Sequence, residues 1–240
     1  MITINKTLSL LFVSLLIATE IVLTSPLGAE TESQQKNVYF TPPDAGKPNN
    51  TTQGGTRPVR LCANDTSAPE ILVTALVPDN SSTLTTATHP TFLVYLPPTT
   101  AENLVFSLRD PQETYYYQQT IQLDGQSGII SFTLPENAPP LEVDQDYLFS
   151  FTLACEETIS PDDFVWSGNI RRVTLTAKID SINSLELASF YGENGIWLDM
   201  LALIAQEHLT KPNDLTISQN WQTVLESVGL EEISEQPLLE

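Results

Sequence analysis

Two cysteines, two histidines, a cluster of carboxylates and a pair of adjacent arginines are the residues of this chain whose types and spacing could do chemistry. Cys62 and Cys155 have no histidine close in sequence, so nothing local would activate a catalytic thiolate. Two cysteines and two isolated histidines also fall short of a zinc site. Glu156, Glu157, Asp162 and Asp163 could offer oxygen ligands to Ca²⁺, although their spacing matches no EF-hand and a solvated acidic loop is the plainer reading. The same four could be imagined as a glycosidase acid/base pair, but a loop offers no deep cleft. His89 precedes a proline and His208 lies near a helix end; either could act as a base, and no G-x-S-x-G surrounds any serine. No phosphate-binding glycine-rich loop is present. Arg171 and Arg172 must face opposite ways if they share a strand, one outward and one toward an acid at the sheet edge, or else they anchor an acidic ligand. Arg57 could do similar work. Tyr115, Tyr116 and Tyr117 would put aromatics on both faces of a strand, as suits a protein or sugar partner. Tyr115, Tyr117, Arg171, Arg172 and Trp197 form the candidate partner-binding set. Trp197 and Trp221 read first as core of a helical region and only second as a ligand platform.

Charge narrows the partners. Ten Lys and Arg stand against thirty Asp and Glu, a formal charge of −20 over 240 residues. Phosphates would be repelled, so nucleic-acid binding is disfavoured, as is docking on an anionic membrane surface. Solubility is the bland reading of this acidity, and attraction to cations or a basic partner the sharper one. Residues 1–29 read as a secretory signal. Lys6 gives the positive start, Leu8 to Thr19 the apolar run, and Leu27-Gly28-Ala29 the small residues before a cut. Glu20 interrupts the apolar run and leaves it short for a bilayer, which favours cleavage over an uncleaved anchor. Export means an oxidising compartment, so Cys62 and Cys155 pair as a disulfide or stay as two buried thiols.

Strands must position these residues. Tyr147, Phe149, Phe151, Leu153 and Cys155 fall at period two, with Asp146, Ser150 and Thr152 on the other face, the pattern of a half-buried strand. Leu141 stands six residues before Tyr147, a spacing that resembles the tyrosine corner of fibronectin type III and other immunoglobulin-like sandwiches, with Val143-Asp144 where those have Pro-Gly. Further short runs lie at 71–77, 91–97, 102–110, 114–123, 128–135 and 164–175, separated by turn residues. The expectation is a mainly β protein: a seven-stranded immunoglobulin-like sandwich over 61–178, with order A, B, C, C′, E, F, G. Strand F then ends at the pole where A begins, which brings Cys155 near Cys62. Residues 30–60, rich in Pro, Gly, Asn, Thr and Gln, read as a disordered linker with Val38, Tyr39 and Phe40 isolated in it. Asn50, Asn64 and Asn80 open N-x-Ser/Thr triplets, which matter only in a host that glycosylates.

The texture changes after Lys178. Asp180 or Ser181 could cap a first helix, Ile196 to Leu209 is apolar nearly all round, and Ser218 could cap a third helix carrying Trp221. A cluster of about three helices over 179–240, docked on the sandwich, is therefore expected, because short helices need tertiary packing. Any apolar surface it leaves uncovered is the best candidate for a partner site.

The order of several motifs adds a resemblance. Gly55-Thr56-Arg57 precedes Cys62; Thr74-Ala75-Leu76-Val77-Pro78, Pro90-Thr91-Phe92 and Tyr95-Leu96-Pro97 follow. Then come Leu141-Glu142-Val143 with Tyr147 and Cys155, Gly168-Asn169-Ile170-Arg171-Arg172, Tyr191, Gly195-Ile196-Trp197, Asp199, Leu201 and Trp221. Over the whole mature chain this resembles a cyanobacterial domain-of-unknown-function family, numbered 928. The resemblance implies an exported protein of photosynthetic bacteria and implies no activity. The expected function is thus a non-catalytic interaction module of the periplasm or cell envelope, with an unknown envelope protein or glycan as partner, no cofactor, and no membrane span once the signal is cut. The alternatives are a periplasmic hydrolase, a carbohydrate-binding protein, or a structural or adhesive envelope component.

Overall fold

The alternating strand around Tyr147 forms at Asp146–Ala154 and takes a central place in a five-stranded sheet. The structure, a computed structural model, describes residues 37–43, 60–79, 83–112, 114, 116–176 and 183–239. The signal read at 1–29, the triplets at Asn50 and Asn80, Arg57, Tyr115 and the caps at Asp180 and Ser181 lie outside the described residues. Contacts divide the chain into residues 1–34 and 35–240, and every element below belongs to the second unit.

Among the described residues eight strands form, not seven: β1 Thr74–Ala75, β2 Thr83–Thr85, β3 Thr91–Leu96, β4 Asn103–Arg109, β5 Tyr116–Gln122, β6 Gly128–Thr133, β7 Asp146–Ala154 and β8 Phe164–Arg172. The added one, β2, is three residues long and sits just after the stretch read as the turn that ends strand A. Thr-Leu-Thr carries too little periodicity to be seen as a strand. Sheet order is β1-β3-β6 and β2-β8-β7-β4-β5, all antiparallel except β2 on β8. Phe92 of one sheet meets Phe106 and Phe149 of the other at centroid distances of 5.0 and 4.8 Å, and Phe106 lies 5.4 Å from Phe151. Interleaved rings at these spacings fill the space between two stacked sheets.

Strand β3 is buried on both faces, because Leu93 and Tyr95 are covered as completely as Phe92, Val94 and Leu96. Its outer cover is helical. Helices α1 Ser184–Glu193, α2 Trp197–Thr210, α3 Leu215–Glu226 and the one-turn α4 Glu231–Ser234 follow the sheets. Among the described residues there are four helices where about three were expected; the added α4 is a single turn near the chain's end. Asn183 caps α1 by accepting from the Glu186 N–H at 3.0 Å. Asp214, not Ser218, caps α3 through the N–H groups of Thr216 and Ile217. The stack is three layers deep: five-stranded sheet, three-stranded sheet, helices.

Residues 37–43 fall inside the stretch read as a disordered linker, and they are packed. Val38 is fully buried and its N–H donates to Asn220 Oδ1 at 2.6 Å; Thr41 N–H donates to Gly192 O at 3.0 Å. Phe40 stands edge-on to Trp197, centroids 4.7 Å apart. The chain passes so close that a Cβ on Gly192 would lie 2.2 Å from the Tyr39 carbonyl oxygen. Val38 and Phe40, two residues apart, thus bury themselves against the helices; a three-residue apolar run in polar surroundings hid this.

Cys62 and Cys155 lie at disulfide distance, Cα atoms 5.5 Å apart across a separation of 93 residues. Beside them the buried Asp65 accepts from Cys62 N–H at 2.8 Å and from Thr100 N–H at 2.6 Å. Burial raises its pKa, but donation from the Thr100 and Cys62 backbone and the Thr99 and Thr100 hydroxyls outweighs that and holds the carboxyl below its ordinary range.

Candidate functional site

A helix that is apolar all round must find cover on more than one side, and α2 does so incompletely. Trp197, Leu198, Met200, Leu201, Ile204 and Ala205 are buried. Trp197 Nε1–H donates to Leu76 O at 2.7 Å, which pins the start of α2 to the chain just after β1. Asp199, in the first turn, accepts from Thr85 Oγ1 at 2.6 Å, from the Thr86 hydroxyl, and from Thr86 N–H at 3.2 Å. These bonds fix α2 against the edge of β2. Ala202, Leu203 and Leu209 are left half-buried on the remaining face.

That face borders a groove of about 380 Å³. Its helical wall is Leu187 and Tyr191 of α1, four residues apart and so on one face, together with Leu203 and Leu209 of α2. The floor is the outer face of β3 and β6, where Thr91 pairs with Thr133 and Leu93 with Ser131. Leu238 closes one end, held there because the chain beyond α4 runs along β6: Ile129 N–H donates to Pro237 O and Leu239 N–H to Ile129 O, each at 2.8 Å. Several polar side chains on the rim are engaged, Thr91 with Thr133 at 2.8 Å among them. His89 Nε2 lies 3.1 Å from Ala138 O and Nδ1 3.1 Å from Thr88 Oγ1, and Asp199 is committed to the two threonines. Leucines and alanines make up much of the lining, with His89, Ser131, Asp199 and Gln206 among the polar residues, so the groove suits a mainly apolar guest.

A second, more polar hollow of about 650 Å³ lies at the tyrosine corner, between Asp110, Gln112, Glu142, Gln145 and Arg172. Its central groups hold the corner together. Glu142 N–H donates to the Tyr147 hydroxyl at 2.9 Å. Asp144, at the position where the resembled corner has glycine, takes a φ of 61°, a left-handed conformation that aspartate tolerates better than most residues. Arg172 donates to Thr86 O at 3.1 Å and to Leu141 O at 2.8 Å. Arg171 donates to Asp144 O at 2.9 Å and faces Asp146.

The structure does not gather the candidate partner-binding residues. Trp197 is fully buried under Phe40 and is corrected from contact residue to core. Arg171 and Arg172 serve backbone carbonyls at the corner. Tyr117 is half-buried on the inner face of β5 and donates to Gln119 Oε1 at 2.6 Å. Asp163 shapes its own loop by accepting from Ser160 N–H at 2.7 Å, while Glu156, Glu157 and Asp162 point to solvent. Among the described residues no group of three His, Cys, Asp or Glu side chains is placed to hold a metal. The groove residues Leu187, Leu203 and Leu238 were not singled out in the sequence. The continuous apolar run of β3, Phe92 to Leu96, was the available signal, since a strand covered on both faces requires a second layer.

The comparisons with known proteins bear on family and not on activity. A model of the family described as Domain of Unknown Function (DUF928) matches residues 52–238, and the chain belongs to that family. No curated protein matches. Among solved structures, the fn3 domain of human collagen alpha-1(XX) chain is similar at 12% identity and a TM-score of 0.26, covering 40% of this chain and 83% of that one. No helix among the described residues is long and apolar enough to cross a membrane.

Proposed function

We propose that this chain is an exported, non-catalytic interaction module of the periplasm or cell envelope. Its groove between α1, α2 and the outer face of β3 and β6 takes an apolar segment of a partner protein. The observation that carries the reading is the half-buried row Leu187, Tyr191, Leu203, Leu209 and Leu238 over a floor already covered by helices on its other parts. Isolated exposed leucines need no explanation, but a shaped, mainly apolar groove does. The charge of −20 favours a guest flanked by basic residues. Export is supported by the signal-like first 29 residues and by the cysteine pair at disulfide distance. On this reading the sandwich is immunoglobulin-like, with β2 added, as the tyrosine corner and the division of strands between sheets suggest. The source is a photosynthetic bacterium.

A photo-crosslinking residue at Leu203 tests the site. In envelope extract it should capture a protein through an apolar segment bordered by lysine or arginine, and the same probe at Val165, exposed on the far sheet, should not. Equal capture from both positions, or none from Leu203, overturns the reading.

A further inference from the structure

Two sheets have four edges; two are closed from within this chain and a third is too short to offer a pairing row. Strand β1 is only two residues long. The flank of β6 is taken by Pro237 and Leu239. The flank of β2 is capped by Asp199 on Thr85 and Thr86. Strand β5, seven residues long, is the outermost strand of the five-stranded sheet, and no described residue bonds to its outer flank. An antiparallel strand turns half of its N–H and C=O groups toward its neighbour and half away, so an unpaired row is presented there. Exposed edges are ordinarily blunted by charge, proline or a bulge. Tyr116–Gln122, YYQQTIQ, has neither a charge nor a proline, in a chain where thirty residues are acidic.

The sequence of this edge also matches itself. Turned about an axis through Gln119, it sets Tyr116 opposite Gln122, Tyr117 opposite Ile121, and Gln118 opposite Thr120. Tyr117 and Ile121 are half-buried on the inner face, so each would gain cover from its counterpart, an aromatic on a β-branched residue. Tyr116, 60% exposed, would gain a Gln122 amide beside its ring. No charges are opposed. The side chains are already held, Tyr117 on Gln119 at 2.6 Å and Gln118 Nε2 on Ser107 Oγ at 3.2 Å, which lowers the cost of ordering them.

We infer that β5 pairs antiparallel with β5 of a second copy of this chain, about a two-fold axis at Gln119, so that one sheet runs through both copies. This surface is distinct from the groove and does not depend on it. Sedimentation equilibrium of the purified chain should show a monomer–dimer equilibrium that tightens as salt is raised, since two acidic copies repel and salt screens them. Gln119→Lys, which sets two ammonium groups on the axis, should weaken dimerisation by about tenfold or more, well beyond what the lost Tyr117 bond takes from the monomer's own melting, measured in parallel. Gln119→Cys should give a disulfide-linked dimer on mild oxidation, and Asp124→Cys, beyond the strand end, should not. A chain that stays monomeric at high concentration and high salt overturns the inference. So does a dimer that is indifferent to Gln119→Lys and forms no crosslink through Gln119→Cys, or a β5 edge that binds a foreign extended peptide and no second copy.

Discussion

Asp65 and Tyr147 show how single side chains hold the frame on which the groove is built. Asp65 is 4% exposed and receives two backbone and two hydroxyl donors. Its carboxyl is held below the ordinary value of 3.8, so the folded state binds fewer protons there than the unfolded chain does. The stability it contributes is whole above that value and is lost as the pH falls through the lower folded value. Urea unfolding followed downward from pH 5 should show this loss, and Asp65→Asn should flatten it in that window. Tyr147→Phe should cost about 1 kcal/mol in the same assay, the net worth of the bond from Glu142 N–H. The two residues differ in legibility. Tyr147 could be read from the spacing to Leu141, because its partner lies five residues away. Asp65 finds Thr99 and Thr100 at separations of 34 and 35, so only the fold brings them together.

At the scale of elements, strands with period two and the all-round apolar helix α2 were legible, because burial on one face or on every face writes itself into residue order. Strand β2 and the packed segment at 37–43 were not. Both are short, and what fixes them is not local: Asp199 reaches Thr85 across 114 residues, and Asn220 reaches Val38 across 182. Asp199→Ala removes the acceptor for Thr85 Oγ1 and for the hydroxyl and N–H of Thr86, in a place where Thr85 is fully buried. It should destabilise the chain by roughly 2 to 3 kcal/mol, since buried donors left unpaired carry their full desolvation cost. Hydrogen exchange should then rise first at β2 and at the start of α2. If exchange rises uniformly, or stability is unchanged, Asp199 is not the tie between helix and sheet edge.

Across the whole molecule, long-range closures recur. The Cys62–Cys155 pair closes a loop of 93 residues. In the chain-entropy account such a closure contributes about 4 kcal/mol, so reduction should lower the melting temperature by several degrees, read by circular dichroism with and without reductant. The excess of acidic residues was evident from composition alone and limits the choice of partner, but the groove was not evident, because its walls come from α1, α2, β3, β6 and the last residues of the chain. The central claim is that the helices complete the sandwich and that their incomplete cover makes the binding groove. Equilibrium unfolding of a chain ended after residue 178 tests it most directly. Uncovering Leu93, Tyr95 and Leu76 should make the truncated chain bind a hydrophobic dye, aggregate, or melt well below the parent. A truncated chain as soluble and as stable as the parent would contradict it.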